Sequence, residues 1–262
     1  MNEKIGSWSR VTIENGIALV TISREERMNA LHPPAHYELA DTLDALATDP
    51  SVQVVIMTGQ GSKAFCAGHD MKVGAESGDI DIGPNGFAGI SLRDSYPLPI
   101  IAAVNGVAFG GGFEAALACD LIIAAESARF ALPEPKVGLA AVGGGIQRLA
   151  RTIGLKRALG MILTSRTVSA DEGMALGFVN QVVPDNQLLN AAFQWAQQIT
   201  ECAPLAIRCS KQVAYISTEQ ATMKDALNLE NYPLAAALFN SEDMLEGQRA
   251  FIEKRKPQWR GK

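Results

Sequence analysis

The feature that most constrains the fold is a recurrence of short β-branched or apolar runs, each closed by glycine or handed on to a helical stretch. Residues 52–57 end at Gly59, residues 100–109 run into Gly110-Gly111-Gly112, and residues 120–125 follow a helical stretch at 112–118. Apolar runs of this length without polar alternation predict buried strands. Pro33-Pro34 predicts a helix start ahead of them, with Leu39, Leu43 and Leu46 at helical spacing, and another helix is expected over 144–159. Such strand and helix units are expected to stack on one another rather than extend one flat sheet. At the start, Glu14-Asn15-Gly16 separates two apolar runs and predicts a hairpin, since Asn-Gly suits a turn with positive φ at both central positions.

From Asn186 the pattern changes. Residues 188–200, 204–217 and 220–239 each read as a helix, and Ser241 as the N-cap of a last one reaching about Lys254. Leu227, Leu234 and Leu238 are many apolar positions for a terminal layer, which predicts packing against another subunit. The length of 262 residues suits one large α/β core with an appended piece, divided here as 1–200 and 201–262. Residues 76–89, with Gly78, Gly83, Pro84, Gly86 and Gly89, read as a mobile surface loop.

Composition narrows the function. Hydrophobic residues at 47% against 19% charged fit a tightly packed soluble enzyme, and a net charge of −5 argues against general nucleic-acid binding. Lys254-Arg255-Lys256 reads as a solvated helix end. Cys66, Cys119, Cys202 and Cys209 show no C-x-x-C spacing, so reduced thiols in a cytoplasmic setting are expected. No apolar stretch is long enough for a bilayer span.

Two acids stand out: Glu114 behind the triple glycine, and Glu134 inside Pro133-Glu134-Pro135. Forced turns put both carboxyls at the rim of a cleft, where burial and like charge can leave one protonated while the other accepts a proton. The ordinary alternative is a first-turn glutamate favoured by the helix dipole and a plain loop glutamate. Gly110-Gly111-Gly112-Phe113-Glu114-Ala115 formally matches a dinucleotide fingerprint, but the acid after the next strand, Glu126, comes too early. A glycine run before a helix also frees backbone N–H groups for an oxyanion, with Gly111 as candidate donor and close helix packing as its alternative. The turn Cys66-Ala67-Gly68-His69-Asp70 offers a second N–H, from His69. There is no G-x-S-x-G elbow, and His32 and His36 lack companions for a metal. Asp79 and Asp81 suggest a calcium loop, but Pro84 stands where that loop requires glycine, so they read as solvated acids.

These motifs come in a familiar order. Cys66-Ala67-Gly68-His69-Asp70, Val104-Asn105-Gly106 through Glu114, Phe130-Ala131-Leu132-Pro133-Glu134, Gly144-Gly145-Ile146-Gln147-Arg148-Leu149 and Phe251-Ile252-Glu253-Lys254-Arg255 together resemble the signatures of the crotonase, or enoyl-CoA hydratase, superfamily, nearly end to end. The resemblance implies an α/β spiral of β-β-α units with a C-terminal α-helical trimerisation region. It also implies trimers or hexamers, an acyl-CoA thioester substrate, and no metal or redox cofactor. It implies an oxyanion hole from the N–H groups of His69 and Gly111, Glu114 and Glu134 as catalytic residues, and Arg27, Lys63, Ala67, Asp70 and Lys72 along the coenzyme A handle. Both glutamates together favour an enoyl-CoA hydratase. An isomerase, an acyl-CoA hydrolase, or a weakly active CoA-binding assembly subunit on the same scaffold is the alternative. A narrower likeness to the carnitinyl-CoA dehydratase branch is carried by Gly83-Pro84-Asn85-Gly86-Phe87-Ala88-Gly89 and by Ser241-Glu242-Asp243 through Trp259. The chain departs from that likeness at His69, where the branch has tryptophan. It also departs from the superfamily pattern at Ala141-Val142, where a bulky residue is expected to crowd the water site.

Overall fold

The structure is a computed structural model that describes residues 2–78 and 80–262, so the acid at Asp79 lies outside the described residues. The strands are β1 (Asn2–Ile5), β2 (Ser9–Glu14), β3 (Ile17–Ile22), β4 (Val54–Gly59), β5 (Ala64–Cys66), β6 (Ile100–Val104), β7 (Val107–Phe109), β8 (Leu121–Ala125), β9 (Arg129–Ala131), β10 (Val168–Ser169) and β11 (Gln181–Val183). They build a seven-stranded sheet in the order β1-β2-β3-β4-β6-β8-β11 and a four-stranded sheet in the order β10-β9-β7-β5. The expected hairpin is β2–β3, antiparallel with Glu14 opposite Ile17, and its Asn15 and Gly16 have φ of 52° and 81°.

Each repeat gives one strand to the large sheet and the next to the small one: β4 then β5, β6 then β7, β8 then β9. Asn105 explains why the apolar stretch 100–109 is two strands rather than one. Its amide donates to the carbonyls of Gly59 (2.8 Å) and Gly61 (2.7 Å) and accepts from the Gly59 N–H (3.1 Å), binding the β6–β7 bend to the β4–β5 bend. Gly106 follows because a Cβ there would sit 2.3 Å from the Lys63 carbonyl oxygen. The stacked units expected from the sequence are therefore two layers bent at the same level.

Strand β4 is buried along its whole length, as a parallel strand covered on both faces must be. One face of the large sheet meets the helix Pro33–Thr48 and the main core, which includes the Phe113, Phe130 and Phe178 rings with centroids 5.2 Å apart. The other face is covered by the helix Leu188–Thr200 through Leu188, Ala191, Ala192 and Ala196.

Three expectations need correction. The helix expected over 144–159 is two helices, Gly145–Ile153 and Leu155–Thr164, because Gly154 between them takes φ 83° and ψ 149°. The helix expected over 220–239 is broken into Met223–Ala226, a 3-10 turn Leu229–Asn231, and Pro233–Phe239; Pro233 cannot donate within a helix and so opens a new one. The segment 76–89 is not all surface: Phe87, Ala88 and Gly89 are buried against the helix Pro33–Thr48, and Tyr37 of that helix donates to Asp81 at 2.9 Å. Leu234 and Leu238 pack in a small cluster with Cys209, Tyr232 and Ala235, whereas Leu227 stays 72% exposed. Among the described residues no helix is long and apolar enough to cross a membrane.

Candidate active site

Gly110, with φ 54°, turns the chain from β7 into the helix Gly111–Ala118, which carries Glu114 in its first turn. The first N–H groups of a helix have no partner one turn back, and among the described residues no backbone hydrogen bond comes from the Gly111 N–H. Gly68 lies alongside, since a Cβ on it would be 2.9 Å from the Phe109 carbonyl oxygen and 3.6 Å from the Gly111 nitrogen. The next residue, His69, forms a parallel bridge with Leu31: Leu31 N–H donates to the Gly68 carbonyl (2.9 Å) and Asp70 N–H to the Leu31 carbonyl (2.8 Å). Backbone groups alternate in direction along extended chain, so the His69 N–H points away from Leu31. The Gly68 turn and the Gly111 helix start therefore lie side by side, and among the described residues neither the His69 nor the Gly111 N–H donates to a backbone carbonyl.

Glu114 is 6% exposed and accepts the Gly145 N–H at 2.9 Å. Burial raises its proton affinity, while that N–H, Arg148 and Gly143 partly counter the rise. Gly143 and Gly145 are glycines for a reason: a Cβ on either would lie 2.8–2.9 Å from the Glu114 side chain. Val142, expected to crowd this place, is instead 67% exposed with Ala141 buried beneath it, so Gly143 is the residue that faces Glu114. Glu134 opens a 3-10 turn after Pro133 and reaches back to Gly110, where a Cβ would be 2.9 Å from its Oε1. Its Oε2 is buried without a hydrogen-bond partner among the described residues. Burial first, and the nearby Glu114 charge in addition, push its pKa up to about 7 against the pull of its own backbone N–H. Both predicted carboxyls therefore flank the same glycine turn.

The remaining predicted residues divide. Ala67 N–H donates to the Met28 carbonyl at 3.0 Å, which docks the segment carrying Arg27 against the 64–70 turn. The side chains of Arg27, Lys63 and Lys72 are solvent-exposed around that junction. Asp70 is different: it is buried, ion-paired with Arg24 at 3.0 Å, and accepts the Lys72 N–H at 3.2 Å, so its carboxylate is spent inside the fold. Sequence reasoning passed over Arg24 and Asn29. Asn29, with φ 55°, donates to the Ala64 carbonyl at 2.7 Å and to the Gln60 carbonyl at 3.0 Å. Asn29, a residue type that tolerates positive φ, was the available signal, while the φ of 54° at Met28 was not legible in the sequence.

His36 braces the wall of this cleft. The Ala88 N–H, held at a φ of 52°, donates to His36 Nδ1 at 3.1 Å, and the His36 ring meets Phe87 edge-on at 4.5 Å. Burial, then the neighbouring His69 and His32, push the His36 pKa down to about 3. An unfolded chain takes up this proton below 6.5 and the folded one does not until about 3. The stability it protects is therefore complete above 6.5 and lost as pH falls through that window. His36→Asn keeps an acceptor near Nδ1 without titrating. We expect the stability difference between wild type and His36→Asn, from urea melts at pH 7 and pH 4, to shrink by up to about 3 kcal/mol at the lower pH.

Residues 12–262 match the enoyl-CoA hydratase/isomerase family. The chain belongs to that family. It is 40% identical over 260 residues to the carnitinyl-CoA dehydratase of Escherichia coli (strain SMS-3-5 / SECEC), spanning 96% of this chain and 98% of that protein. Its fold superposes on the crystal structures of enoyl-CoA hydratases from Mycobacterium tuberculosis H37Rv (TM-score 0.91, 35% identity) and Bacillus anthracis (TM-score 0.90, 34% identity), covering 98% of this chain and 100% of each. The α/β spiral with a helical C-terminal region is the fold of this hydratase/isomerase family, as the resemblance implied.

Proposed function

We propose that this chain is an enoyl-CoA hydratase-type carbon–oxygen lyase, adding water reversibly across the 2,3 double bond of an acyl-CoA thioester. The observation that carries this reading is the asymmetry of the two carboxyls. Glu134, pushed up to about 7 and with Oε2 unpartnered, is fit to hold a proton near neutral pH, while Glu114 is held by the Gly145 N–H. In the hydration direction the N–H groups of His69 and Gly111 polarise the thioester carbonyl. Glu114 takes a proton from water as its oxygen bonds to the β carbon, the π electrons move toward the carbonyl as an enolate, and Glu134 gives its proton to the α carbon. Dehydration reverses each transfer. One oxyanion donor of this kind is worth about 3 kcal/mol.

Arg27, Lys63 and Lys72 are assigned to the coenzyme A phosphates and Ala67 to the backbone lining that handle. Asp70 acts there only through its grip on Arg24. The relatives named carnitinyl-CoA dehydratase point to a short acyl chain with a polar substituent. Region 201–262 is assigned to a homotrimer or hexamer, because Phe251 (86%), Ile252 (78%), Met223 (73%) and Leu227 (72%) are too exposed for a finished surface. Turnover across crotonyl-, crotonobetainyl- and aromatic enoyl-CoA, followed by loss of the conjugated absorbance, tests the reaction. Hydration of at least one member supports it, and a shifted double bond or free CoA as the product would replace it with isomerase or hydrolase chemistry.

A further inference from the structure

We propose that Arg148 is a positioning residue that locks the Glu114 turn and the oxyanion wall into one register; this builds on the hydratase reading. Arg148 lies in the helix Gly145–Ile153, and its guanidinium sits where that helix start meets the 87–93 segment. Nη1 donates to the Ser91 carbonyl at 2.6 Å and Nη2 to the Arg93 carbonyl at 3.4 Å. The Ser91 hydroxyl in turn accepts the Phe87 N–H at 2.8 Å, and the Phe87 ring lies so close over Gly111 that a Cβ there would be 2.3 Å from it. The same Nη1 fills the space above Gly144, where a Cβ would be 2.1 Å from it and 2.8 Å from the Ser91 carbonyl oxygen, so the two segments meet at this one nitrogen. Gly144, with φ 112°, is the N-cap that aims the Gly145 N–H at Glu114. A single planar cation thus sets both the donor-bearing helix start and the carboxylate that faces it.

Three further observations support this. Arg148 is half-buried yet forms no ion pair with a carboxylate among the described residues. Its charge draws down the proton affinity that burial gives Glu114. It also lines a cavity of about 280 Å³ that contains neither Glu114 nor Glu134 and is bounded by Tyr96, Asp120, Lys211 and Tyr215. That cavity, which Arg93, Arg208 and Lys211 also line, adjoins the guanidinium and is the route we assign to a small replacement cation.

The carboxylates whose charge acts on Arg148 are Glu114 and Asp94, while Tyr215 and Cys119 face it as neutral groups because burial raises their proton affinity; the charged groups coupled to Glu114 are Arg148 and Glu134. Arg148→Met is expected to lower kcat ~30- to 100-fold with KM within ~3-fold, as loss of alignment without loss of CoA contacts predicts. The acid limb of its kcat/KM profile in hydration should move to higher pH. Arg148→Lys should keep the acid limb while recovering only part of kcat. Arg148→Ala should regain activity in tens of millimolar ethylguanidinium and not in equal tetramethylammonium. Ser91→Ala, which cuts the link to Phe87 alone, should weaken binding of the acetoacetyl-CoA enolate, read by its ultraviolet absorbance, without moving the acid limb.

Folded Arg148→Met with wild-type kcat and acid limb overturns the proposal. So does Arg148→Ala that ethylguanidinium fails to rescue while Ser91→Ala binds the enolate as wild type does. If the wild-type chain hydrates no enoyl-CoA, the hydratase reading fails, and enolate binding still decides for or against Arg148: weaker binding in both Arg148→Met and Ser91→Ala upholds it, and unchanged binding ends it.

Discussion

Glu134→Gln is expected to lose roughly 10³-fold or more in kcat with little change in acyl-CoA affinity, because it removes a transferable proton without removing a coenzyme A contact. Glu114→Gln should fall comparably, and the double variant should fall little further, since two groups handling one water act as a unit. Stopped-flow turnover and calorimetric binding of a saturated acyl-CoA check both halves. A rate within tenfold of wild type for either variant would remove the two-carboxyl mechanism. The wild-type hydration rate should decline as pH rises through about 7, where Glu134 loses its proton.

The same variant carries a second sign. A carboxyl titrating near 4.5 when unfolded and at about 7 when folded destabilises the protein progressively as pH rises between those values. Relative to wild type, Glu134→Gln should therefore be more stable at pH 8 than at pH 5 by about 1–2 kcal/mol, after discounting for the partial exposure of the side chain. Thermal melts at the two pH values read this directly. An inactivating change that stabilises is what a strained functional carboxyl predicts.

Gly112→Ala is expected to cost at least about 3 kcal/mol of stability and to abolish turnover in whatever fraction folds. A Cβ at this position would lie 2.0 Å from the Cys66 carbonyl oxygen and 2.8 Å from its carbon, so backbone, not a flexible side-chain end, would have to move. Cys66 begins the turn that carries the His69 N–H, and Gly112 follows the Gly111 N–H, so any relief of the clash separates the two donors. Urea denaturation and enolate binding measure the two effects separately. Wild-type stability in the Gly112→Ala variant would contradict the close approach.

Local chemistry made much of this legible. The hairpin at Asn15-Gly16, the proline-opened helix Pro33–Thr48, the strand ending at Gly59 and the cap at Ser241 are each specified by residues within a few positions of one another. The breaks at Gly154 and Pro233 were equally local, and the longer helices expected there gave too much weight to apolar periodicity over the breaking residues. Asp70 and Val142 were different in kind. Whether a carboxylate points to solvent or to Arg24, and whether a valine faces a glutamate or water, depends on packing between distant segments.

By itself the sequence determined the order of the units, the glycine turns and the two glutamates, because backbone conformation at glycine and proline and the burial of apolar runs are set by neighbouring residues. Only the tertiary structure decided that Glu134 reaches back to Gly110, that Asn105 bends two strand pairs at one level, and that Arg148 meets Ser91 above Gly144. Those contacts join segments far apart along the chain, and their desolvation, which moves the carboxyl proton affinities, exists only once the layers have closed over them.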